Sequence, residues 1–134
     1  MKAPDVQEAR DRFELAENES DPAAKLEALE AALALVDEIL DEPGVSEADR
    51  QVTRNMRRTY LRRLIEQLVR VAHVQFSDWF GYMRLLLVDQ RAVVGDIVEA
   101  DPALNARYRA FIALWSRQFR EALGQDIETF INKG

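Results

Sequence analysis

Apolar residues recur along this chain every three or four positions, and no segment keeps the strict alternation of a half-buried strand. Val6, Ala9, Phe13 and Ala16 mark a short amphipathic helix within residues 1–20. Asp21-Pro22 opens a second helix, with an acceptor side chain at the N-cap and proline at the first helical position, where a missing N–H is harmless. Leu26, Leu29, Leu33, Val36 and Leu40 form its seam, widened by Leu35 and Ile39, and Glu42-Pro43-Gly44 stops it near Asp41.

Ser46-x-x-Asp49 resembles a capping box, with Asp in the place of Glu, and opens a third helix over about 47–73. Val52, Met56, Tyr60, Leu64, Leu68 and Val71 continue its apolar row. Arg50, Arg54, Arg57, Arg58 and Arg62 share a broad face in its first half, while its second half reads as buried on most sides.

Over 74–100, Ser77-Asp78 is placed to cap a helix through Trp79, Phe80, Met83, Leu86 and Leu87. Asp89 is placed to cap another through Val93, Val94, Ile97 and Val98, with a break near Val88–Gln90. A strand at Leu85–Val88 would have nothing to pair with. Asp101-Pro102 repeats the earlier helix start. Leu104, Tyr108, Phe111, Trp115, Phe119 and Leu123 then form a face that Gly124 ends, and Asp126 begins a last turn or two. The expectation is an all-α, single-domain antiparallel bundle of five or six helices, spanning 1–134, with a long central hairpin at 21–41 and 47–73.

Composition agrees with a globular chain: 134 residues, 48% hydrophobic and 31% charged, with only five Gly and four Pro. Cysteine is absent, which removes disulfides, thiolate metal sites and a cysteine nucleophile together. The first twenty residues lack the apolar core of a signal peptide, and no apolar run approaches the ~20 residues that span a bilayer, so the expected location is the cytoplasm, away from membranes.

Charge changes the picture more. The net charge is −6, but residues 1–49 hold 15 acids against 4 bases, and residues 50–84 hold 8 arginines against 2 acids. The nearest explanation is pairing of the acidic second helix (Glu27, Glu30, Asp37, Glu38) with the arginine-rich third one. An arginine stripe also suits nucleic acid, because it releases phosphate counterions. Against that stand the acidic total, three lysines in all, and the lack of aromatics among Arg50–Arg58.

Phe76, Trp79, Phe80 and Tyr82 crowd seven residues, more than one helix face can turn inward. That points to a surface for a partner or a second copy, since aromatics are enriched at interface cores. His73 with Ser77 and Asp78 lacks any signature for an imidazole-orienting acid or an oxyanion site. One histidine cannot supply the paired Glu-x-x-His of a di-iron bundle, and no phosphate-binding or dinucleotide loop is present. No cofactor or metal is expected.

The sequence thus suggests a non-catalytic interaction or assembly protein, binding a protein partner or itself. Its contact residues would be Phe76, Trp79, Phe80, Tyr82 and Met83, together with Arg57, Arg58, Arg62 and Arg63. The alternatives are a nucleic-acid-associated regulator using the arginines of 50–63, and a ligand-binding or enzymatic bundle with a pocket lined by Tyr82, Tyr108 and Trp115.

Overall fold

A computed structural model describes residues 5–70 and 81–124. The fold is all-α, with no strand among the described residues. The chain divides into two compact units, residues 1–72 and 73–134.

In the first unit, α1 (Val6–Asn18), α2 (Pro22–Asp41) and α3 (Glu47–Leu68) pack in sequence. Each starts on an oxygen acceptor: the side chains of Asp5, Asp21 and Ser46 accept from the backbone N–H of Glu8, Ala24 and Asp49. These caps satisfy donors that the first helical turn leaves open. Short connections force neighbouring helices to run antiparallel, and the contacts confirm it. Arg50 at the start of α3 reaches carbonyls at the end of α2, while Gln67 near the end of α3 donates to Pro22 at the start of α2 (3.2 Å). Leu26, Leu29, Leu33 and Val36 of α2 are buried, as are Ala9 and Ala16 of α1 and Leu61, Leu64 and Ile65 of α3. Between α1 and α3 the rings of Phe13 and Tyr60 stack with centroids 4.0 Å apart.

The inward face of α3 differs from the expected row. Val52 is 38% exposed, and Thr53 is buried in its place. Residues four apart advance about 40° around a helix, so a row sustained at that spacing drifts off any one face. Thr53 tolerates burial because its hydroxyl donates to the Asp49 carbonyl at 2.6 Å. The helix is described as far as Leu68, with Val69 as its C-cap, so the expected extension to 73 lies partly outside the described residues.

In the second unit, residues 81–84 are helical and pass into a π-helical turn, Leu85–Asp89, whose wide ring is closed by Gln90 N–H donating to the Leu85 carbonyl at 2.8 Å. Helix α4 (Arg91–Glu99) follows, then α5 (Pro102–Leu123). The break thus falls at the place that the sequence suggested. Asp89, however, does not cap α4: it ends the π turn, and Gln90 occupies the N-cap position without a side-chain hydrogen bond to the first turn of the helix. Asp101 caps α5 by accepting from Leu104 N–H. Gly124 ends α5 at φ +66°, a left-handed conformation that suits glycine. The last turns expected from Asp126 lie outside the described residues.

Candidate interaction surface on the third helix

The predicted contact residues separate into distinct environments. Phe76, Trp79 and Phe80 lie outside the described residues, as do His73, Ser77 and Asp78. Tyr82 and Met83 are 4% and 0% exposed, so their side chains are core and present no docking surface. Tyr108 is likewise buried, and burial pushes its phenol up to about 12 from an ordinary 10.0. Trp115 is half-buried and lies 6.0 Å from Phe111, one turn back on α5. The exposed large apolar side chains among the described residues are Leu15, Val52, Val88 and Leu114, each on a different element. Scattered singly, such residues are ordinary surface.

The arginines of α3 divide three ways. Arg50 is structural: its two terminal nitrogens each donate at 2.7 Å, one to the Leu40 carbonyl and the other to that of Glu42. Arg57 is half-buried and stands on the inward stripe between buried Thr53 and Leu61; its Nε is buried without a hydrogen-bond partner. It therefore does not belong to the exposed arginine face on which the sequence placed it. Arg54, Arg58, Arg62 and Arg63 are exposed.

Arg63 is committed to a network that ties the three helices together. Its Nε is 3.0 Å from Glu17 Oε1 of α1, and Glu17 Oε2 is 3.6 Å from Lys25 Nζ of α2. Arg63 Nη1 also lies 3.4 Å from Glu66, which accepts from Arg62 Nε at 2.9 Å. Glu17, Lys25, Glu66, Gln67 and Arg70 line a shallow recess around this network, with Leu29 beneath. Sequence reasoning missed Glu17 and Lys25 because nothing local to either residue signals a pair closed between helices. It looked to α2 for the acids, whereas Arg63 finds its acid on α1.

The outward face of α3 is left with Arg54, Arg58 and Arg62, one turn apart, interleaved with exposed Gln51, Asn55 and Thr59. Arg54 lies 3.2 Å from Glu47 at the start of its own helix, and Arg58 has no ion-pair partner among the described residues. This strip is rich in hydrogen-bond donors and holds no apolar anchor. Forked guanidinium groups at this spacing suit carboxylates or phosphates arrayed along a rod. No cluster of metal-ligating side chains occurs among the described residues, and none of the described helices is long and apolar enough to cross a membrane. Compared with protein-family models, curated proteins and solved structures, the chain matches none of them.

Proposed function

We propose that the chain is a non-catalytic interaction protein of the cytoplasm that recognises an acidic protein surface through the outward face of α3. The observation that carries this reading is the row of Arg54, Arg58 and Arg62, exposed along one side of a helical segment whose inward side is fixed by Met56, Tyr60, Leu61 and Leu64. A rigid row of this kind binds without prior ordering of its backbone, and its charge steers the encounter.

Nucleic acid is the second reading. Arginine, amide and hydroxyl side chains on one helix face are the donors that contact phosphates and base edges. Against it stands the lack of aromatic side chains among Arg50–Arg58 on which bases could stack.

Fluorescence anisotropy separates the two, using labelled polyglutamate and a labelled DNA duplex at low salt. Binding of polyglutamate that weakens at least tenfold at moderate salt, and is lost in Arg54/Arg58/Arg62→Glu, supports the acidic-partner reading. Binding of the duplex with none of polyglutamate transfers the function to nucleic acid. No binding of either probe removes α3 as the recognition surface.

A further inference from the structure

The chain itself carries an acidic surface complementary to the arginine row of α3. On α2 the side turned away from Leu26, Leu33 and Val36 presents Glu27, Glu38 and Asp41, all exposed. Exposed Ala31 and Ala34 stand between the acids and leave room for a second helix to approach. At about 1.5 Å of rise per residue, Glu27 and Glu38 are ~16 Å apart along α2, and Arg54 and Arg62 are ~12 Å apart along α3. The difference is within the span of arginine side chains. Laid antiparallel, the two rods bring Glu38 and Asp41 beside Arg54, and Glu27 beside Arg62.

We infer that the α2–α3 hairpin pairs with a second copy of this chain, the acidic side of α2 in one copy lying against the arginine row of α3 in the other. The hairpin is itself antiparallel, so a two-fold axis along the helices sets each α2 beside the α3 of the opposite copy. Both contacts form at once, and the assembly closes as a dimer. All the residues involved are exposed in the isolated chain, and Glu27 and Glu38, two of the acids that the sequence paired with α3 of their own chain, acquire a partner together with Asp41. Exposed ion pairs are individually weak and salt-screened, so the dimer is a low-affinity one that forms at low ionic strength.

This inference rests on the proposed role of α3, and the experiment keeps the two apart. Sedimentation equilibrium is run on the full chain over a wide concentration range, at about 20 mM and about 500 mM salt, where screening lengths differ several-fold. The wild type is expected to approach twice the monomer mass at low salt and to return to monomer at high salt. Arg54/Arg58/Arg62→Glu and Glu27/Glu38/Asp41→Arg are each expected to be monomeric, and an equimolar mixture of the two to recover the dimer, with far-ultraviolet circular dichroism confirming that both stay helical. Because the salt response of the wild type needs no variant, a misfolded variant does not spoil the test. A wild type that stays monomeric at low salt, or a mixture that fails to recover association, overturns the self-pairing. If that monomer still binds polyglutamate through α3, the acidic-partner reading stands; if it binds neither itself nor polyglutamate, both fall.

Discussion

Replacing Arg50 by alanine tests whether α3 holds the end of α2. Helix α2 ends unfavourably: it has no basic residue in its last turn, while Glu38, Asp41 and Glu42 place negative charge where the helix dipole is already negative. Arg50 answers with a guanidinium forked over the carbonyls of Leu40 and Glu42, both at 2.7 Å. A hydrogen bond to a charged group contributes roughly 1.5–3 kcal/mol when water cannot replace it. The Leu40 bond is partly buried and is counted near the lower end of that range, whereas the Glu42 bond is exposed and adds little. The dipole interaction comes from the same charge and is not added again. The loss is then about 1.5 kcal/mol. With a urea dependence of about 1.5 kcal/mol per M, the unfolding midpoint falls by ~1 M.

Lysine at position 50 recovers only part of the loss, because one ammonium cannot fork between two carbonyls as a guanidinium does. Arg58→Ala is the control: with its side chain exposed and no ion-pair partner among the described residues, the midpoint hardly moves. Urea unfolding followed by far-ultraviolet circular dichroism reads all three. If Arg50→Ala and Arg58→Ala unfold at the same midpoint as wild type, the fork contributes nothing and the reasoning is refuted.

Two further outcomes follow from burial and charge. The folded phenol of Tyr108 is held at about 12, above an ordinary 10.0, because burial disfavours phenolate. Its contribution to stability is therefore complete below pH 10 and disappears as pH rises towards 12. Burial raises the Tyr60 phenol as well, so Tyr108→Phe should remove only part of the stability lost in that window, read by urea midpoints across alkaline pH. Leu33→Ala, in the middle of α2 with its side chain buried, should cost about 2–5 kcal/mol through lost burial and the cavity left behind, and an unchanged midpoint would show that the site collapses around the gap.

The sequence determined the helices and most of their limits, because those are local events. Asp21-Pro22, Ser46, Asp101-Pro102 and Gly124 each act on backbone groups within a turn of themselves, and each does so where its spelling indicates. The break before Gln90 was legible for the same reason, as a place where two apolar patterns fail to join. The inward stripe of α3 was only half legible. Its apolar row at four-residue spacing hides a steady rotation, and only packing against α1 and α2 decided that Thr53 turns inward and Val52 outward. Charge was legible as an asymmetry but not as a set of partners. Seven arginines from 50 to 70 look alike in a sequence, yet the fold assigns Arg50 to carbonyls at the end of α2, Arg57 to the inward stripe, and Arg63 to Glu17, 46 positions away. Long side chains pair with whatever acceptor the tertiary packing brings within reach. The arginines left outward, and with them the candidate surface, were therefore decided only when the three helices came together.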